Sequence, residues 1–153
     1  MGDRIDLEEG IIRDVKILGA QSANGREYTA QAMRAAIPEY EGVKVFLNHP
    51  KRADMNEDRA FGDWVGILEN VRYRGAESRE KLPGIYGDLR LRKEGKHYAE
   101  IIAAAMDFSQ SFGLSHVADG DSIVVNGLEV VESITAVHSV DIVCSPATNN
   151  GLF

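Results

Sequence analysis

The chain holds a single cysteine, Cys144, among its 153 residues. No disulfide can form within it, and a reducing compartment fits such a composition. No apolar run approaches the roughly 20 residues that a membrane-spanning helix needs. The opening Met1-Gly2-Asp3-Arg4-Ile5-Asp6 is too acidic and too poor in apolar residues to read as a secretory signal. Cationic excess is also missing: 17 Lys and Arg stand against 24 Asp and Glu, a formal net charge of -7. Phosphate attraction depends on clustered basic side chains, so the balance argues against a general binder of nucleic acid or membrane surfaces. There is no HExxH, no paired cysteine, no EF-hand spacing and no Walker or GxGxxG glycine pattern, so the usual signatures of metal and nucleotide sites are absent. A soluble, cytoplasmic protein without cofactor is the expectation.

What remains is enough for a core. The chain is 44% hydrophobic and 27% charged, and its length suits one domain of ordinary size, residues 1–153. Ile11 to Leu18 reads as a strand. Asn24-Gly25 marks a turn, because both residue types tolerate positive φ. Thr29 is placed to cap a short helix through Ala36, which Pro38 limits. Val43 to Asn48 is a second strand, stopped by Pro50, and Lys51 to Ala60 is a polar surface loop. Asp63 to Arg72 and Gly84 to Arg92 make two more strands, joined by a charged link from Arg74 to Pro83. In Arg90-Leu91-Arg92-Lys93 charge alternates with an apolar residue, the mark of a strand with one wet face.

The clearest helix runs from about His97 to Phe108. Tyr98, Ile101, Ile102, Ala105 and Phe108 recur at helical spacing and define a buried face. A strand around Ser115 follows. Asn126-Gly127 between Ser122–Val125 and Leu128–Val131 signals a type I′ hairpin. A last strand spans about Ile134 to Cys144, with Cys144 expected as a small buried side chain, and the rest is turn-like. About seven strands and two or three helices, in no regular alternation, predict an α+β fold on a mainly antiparallel sheet or small barrel.

Three residues offer chemistry. Ser115 sits in the apolar run Phe112-Gly113-Leu114-Ser115-His116-Val117-Ala118, His49 ends a strand, and Asp141 lies inside the last one. A serine hydroxyl becomes a nucleophile only with a base in reach and a third group orienting that base. Strand parity sorts the partners. His116 follows Ser115 directly and faces the other way, which makes it a poor base. His138 and Asp141 lie on opposite faces of the last strand. Ala136, Val140 and Ile142 accompany His138; Val137, Ser139 and Val143 accompany Asp141. The more polar face favours Asp141 as third member, and a carboxylate in an apolar strand is costly without a partner. A competing reading takes His49, Asp54, His97, His116 and His138 as ligands of a metal-dependent hydrolase.

The segments Asn24-Gly25-Arg26-Glu27-Tyr28 before a short helix, Val43-Lys44-Val45-Phe46-Leu47-Asn48-His49-Pro50, Gly113-Leu114-Ser115, and Ser139-Val140-Asp141-Ile142-Val143 before Ser145-Pro146-Ala147 occur in one order. In that ordered set the chain resembles the prohead maturation proteases of tailed bacteriophages, which share a fold with the herpesvirus assembly proteases. The resemblance implies a β-barrel-like core flanked by helices and a serine endopeptidase. Such an enzyme acts inside the immature capsid, in the host cytoplasm, on scaffold protein, major capsid protein and itself. It implies Ser115 as nucleophile, His49 as general base and Asp141 as orienting acid. His138 is the alternative third member, because the herpesvirus branch uses a second histidine. That branch also draws oxyanion donors from an arginine-rich turn; no arginine stands there in this chain, so backbone N–H groups near Cys144 to Ala147 are the expected donors. Herpesvirus relatives are activated by dimerisation, which adds a homo-oligomer to the expectation. A non-catalytic capsid-assembly or scaffolding module on the same fold is the alternative from another class.

Overall fold

A computed structural model of the chain describes residues 4–50, 59–77 and 82–153. In chain order it contains β1 (Ile5–Asp6), β2 (Ile11–Gly19), β3 (Arg26–Tyr28), α1 (Ala30–Ala35), α2 (Ile37–Tyr40) and β4 (Lys44–Leu47). There follow β5 (Trp64–Arg74), β6 (Gly84–Leu91), α3 (Tyr98–Asp107), β7 (Gly113–Val125) and β8 (Leu128–Val143). The eight strands form one sheet in the order β1-β2-β6-β5-β4-β8-β3, with β7 paired to β8. Strand pairs are antiparallel except β3–β8 and β4–β8, which are parallel. The result is an α+β fold, mostly sheet.

The local signals act as their chemistry dictates. Thr29 Oγ1 accepts from the Ala32 N–H at 3.0 Å and starts α1. Pro38 does not simply end that helix. It sits in the first turn of α2, where a missing N–H leaves no helical bond unmade. Asn126 and Gly127 take φ of 51° and 81° and close the β7–β8 hairpin. The segments expected as separate strands around Ser115 and Ser122 are one strand, β7, and those at Leu128 and Ile134 are one strand, β8. Irregularities after Val117, Asp119 and Asp121 absorb the twist without breaking the ladder. On α3, Ile101, Ile102 and Ala105 are buried as the spacing predicts, whereas Phe108 is exposed. It caps the C-terminus beyond the packed face. The loop assigned to Lys51–Ala60 lies outside the described residues up to residue 58, Asp54 included. The same holds for residues 78–81 of the charged link.

The barrel-like closure is not formed by strand pairing: the sheet stays open between β2 and β7. Residues 149–152 bridge that gap instead. The buried Asn149 amide donates to the carbonyls of Lys16 and Ile17 on β2, at 3.1 and 3.4 Å, and of Leu114 on β7, at 2.8 Å. Leu152, fully buried, accepts at its carbonyl from the Lys16 N–H at 2.8 Å. Gly113 is required here, because a Cβ would stand 2.8 Å from the Gly151 carbonyl oxygen. One side-chain amide therefore fixes the start of β7, one residue before Ser115, against β2.

Asn149→Ala leaves buried carbonyls without their donor. We expect it to lower the unfolding free energy by about 2–3 kcal/mol. The change should appear as a drop in the urea midpoint at an unchanged slope.

Candidate active site

β8 is the spine of the site because both of its edges are paired near its end. Across one edge Asp141 is opposite Phe46 of β4, and across the other it is opposite Ser115 of β7. Residues opposite each other in a ladder present their side chains to the same face. Phe46, Asp141 and Ser115 therefore form a row across three strands. The more polar face that carries Asp141 is not a wet one. Asp141 is 0% exposed and Ser139 is 3% exposed, while Val140 and Ile142 on the other face are buried too. The end of β8 is enclosed on both sides, and alternation of polarity does not report which side meets solvent.

A carboxylate so buried must be compensated. His49 Nδ1 lies 2.7 Å from Asp141 Oδ2, and Arg59 Nη1 lies 3.2 Å from Asp141 Oδ1. A carboxylate only accepts, so Nδ1 donates and the lone pair of the imidazole sits on Nε2. The His49 side chain is 45% exposed, so its outer nitrogen is open to solvent and ligand. Its placement follows from a kink at Asn48, whose φ is +65°. The Asn48 N–H donates to the Ile142 carbonyl at 2.9 Å, and the chain then leaves the β4 ladder toward Asp141.

Ser115 and His49 line one cavity of about 540 Å³ together with Ser22–Asn24, Tyr28, His116 and Ser145–Thr148. The Ser22–Asn24 and Ser145–Thr148 segments are joined where the Ala23 N–H donates to the Ala147 carbonyl at 2.7 Å. Ser115 Oγ has no hydrogen-bond partner among the described residues. Catalytic hydrogen bonds are commonly open before substrate binds. Cys144, expected to be buried, is exposed, because β8 has ended at Val143 and the chain is turning into this wall.

His138 and His97 are elsewhere, and His116 borders the cavity but is engaged otherwise. His138 Nε2 is 2.8 Å from Asp119 Oδ2, out along the hairpin. His97 precedes α3, its Nδ1 3.7 Å from Glu100. His116 and Ser115 are consecutive in a regular stretch of the β7–β8 ladder and so alternate in face, yet both border the cavity; the His116 ring lies between two tyrosines. Tyr40 Oη is 2.6 Å from its Nδ1 and Tyr28 Oη is 3.1 Å from its Nε2. Burial raises both phenols, keeping them neutral. Burial, reinforced by Arg26 and His49, pushes the imidazole down from 6.5 to about 4. Among the described residues no group of three His, Cys, Asp or Glu is gathered to hold a metal ion.

Two features escaped sequence reasoning. Arg59 falls in the segment read as polar loop, and its partners are 11 to 82 positions away, beyond any local periodicity. The Tyr28–His116–Tyr40 clamp joins β3, β7 and α2; only the parity of His116 hinted at it.

No protein-family model and no curated protein sequence matches the chain. Among solved structures it is similar to the bacteriophage T4 capsid assembly protease, gp21, with a TM-score of 0.61 and 20% identity over 88% of this chain and 81% of that one. At that identity the likeness establishes a common fold.

The clamp makes a pH prediction. His116 is held neutral in the fold and titrates near 6.5 when unfolded, so the unfolded chain binds the extra proton between pH 6.5 and about 4. The stability associated with His116 is complete above pH 6.5 and is lost as pH falls toward 4. Between pH 7 and 5 the wild type should lose about 2 kcal/mol more than His116→Gln, measured by urea unfolding at each pH.

Proposed function

We propose that the chain is a serine endopeptidase of the phage prohead kind, akin to the herpesvirus assembly enzymes, that cleaves scaffold and capsid protein within the immature capsid. The observation that carries this reading is the buried Asp141. It is bonded to the half-exposed His49 and is opposite Ser115 in the sheet, with Ser115 and His49 on one cavity wall. The common fold with a protein named as a capsid assembly protease supports the substrate class.

The roles follow from the chemistry of each group. His49 Nε2 takes the Ser115 proton as Oγ attacks a peptide carbonyl. The tetrahedral intermediate collapses when the same nitrogen returns the proton to the departing amine, leaving an acyl-enzyme. Water, deprotonated by His49, then cleaves the ester and restores Ser115. Asp141 holds the imidazole in the tautomer that bares Nε2 and offsets its positive charge while the proton is on it. The developing oxyanion needs preorganised N–H donors. This reading assigns them to backbone N–H groups of the Cys144–Ala147 turn, whose Ser145, Pro146 and Ala147 line the cavity with Ser115.

Incubated with prohead scaffold or capsid protein, the wild type should yield discrete fragments and Ser115→Ala none; equal cleavage by both would rule the assignment out and leave a non-catalytic assembly module. Asp141→Asn should reduce the rate by about 10³–10⁴-fold by fixing the wrong tautomer. His138→Gln should leave it within about twofold, as expected of a surface substitution away from the site. The reverse ranking would move the third role to His138.

A further inference from the structure

We infer that Arg59 is a positioning residue of this site, acting on the base through both Asp141 and the Asn48 carbonyl; the inference rests on the serine-peptidase reading. One guanidinium reaches four groups. Nη1 donates to Asp141 Oδ1 at 3.2 Å and to Ser139 Oγ at 3.3 Å, Nη2 donates to the Asn48 carbonyl, and the plane lies 4.4 Å from the centroid of the Phe46 ring. The side chain is 15% exposed, so these contacts are screened little by water.

Each contact constrains His49. The carboxylate of Asp141 has one oxygen on His49 and the other on Arg59, which removes its freedom to rotate away from the imidazole. Asn48 is a left-handed residue immediately before His49, a conformation that persists only where its surroundings hold it. Its N–H is tied to Ile142 on β8 and its C=O to Arg59. The kink that turns His49 toward Asp141 is thus pinned from both sides of one residue. A planar fork is needed for three acceptors in different directions. A lysine placed there retains the charge without the fork.

The test is labelling of Ser115 by a fluorophosphonate probe at saturating and sub-saturating concentrations, which needs no knowledge of the cleavage site and separates the limiting rate from probe affinity. Arg59→Gln should lower the limiting rate about 10–100-fold with probe affinity within about twofold. Arg59→Lys should lower the limiting rate about tenfold, again at unchanged affinity. A purely structural role predicts instead fewer sites labelled at completion, or a matching loss of affinity, with the limiting rate of the folded fraction unchanged, and that result overturns the inference. If the Gln variant does not fold, the Lys variant decides: a wild-type limiting rate overturns the inference, and a lower limiting rate at unchanged affinity and full final labelling supports it. Ser115→Ala separates the two readings. Labelling that survives it sinks the serine site itself, whereas loss of labelling there with a wild-type limiting rate in Arg59→Gln removes only the role of Arg59.

Discussion

The structure of the site depends on the compensation of one buried charge. Asp141 has no exposure to water, and an isolated carboxylate in such a place is several kcal/mol uphill. It is tolerated because two N–H-bearing groups meet its two oxygens. Neither partner is adjacent in sequence: His49 is 92 positions away and Arg59 is 82. A buried charge with two distant partners is a strong constraint on topology, since removing either leaves a charge that the apolar end of β8 cannot host. The fold around it is what brings those partners within reach.

That fold works by doubling the use of β8. Along its length it pairs antiparallel with β7, while its opposite edge takes β3 near its start and β4 near its end, both parallel. A parallel neighbour supplies the exit of β4, and hence His49, at the same level as Asp141. An antiparallel neighbour supplies Ser115 at that level from the other side. The hydrophobic cluster beneath, with Ile12, Val45, Leu68, Leu114 and Val140 among its members, fixes the levels. A slip of one residue in either ladder would send an alternate set of side chains into it. The Asn149 amide ties the beginning of β7 to β2, so the strand carrying Ser115 is held at both edges despite the open sheet.

How much of this was legible in the sequence follows from the range of each signal. Capping at Thr29, the turn at Asn126-Gly127 and the amphipathic face of α3 are local, and they read correctly except at Phe108, which lies past the end of α3 and is exposed. The boundaries inside β7 and β8 did not, because the polar residues between the apolar runs are accommodated by irregular pairing rather than by a turn. The three residues proposed for catalysis were visible as types at strand ends. What could not be read was that both faces of β8 are covered at Asp141, since alternation reports burial only where one face is wet. Arg59 was invisible for a simpler reason: a polar segment looks the same whether its arginine points to solvent or to a buried carboxylate.

The two histidines nearest Ser115 show how environment divides the work of one side chain. His116 is next in sequence to the serine, yet its nitrogens are both taken by phenols that burial keeps neutral. With no anion to favour the imidazolium, burial wins and the ring stays neutral. It can hold α2, β3 and β7 together, and it has no free nitrogen with which to accept a proton. His49 is 66 positions from Ser115 in the chain, but one nitrogen is committed to a carboxylate and the other is open. A base that must gain and lose a proton in each turnover needs that asymmetry: an anion behind it to receive the charge, and an unoccupied lone pair in front. Tyr28 and His116 line the cavity that Ser115 shares with His49, so the two histidines border one space and differ only in what their nitrogens are bonded to.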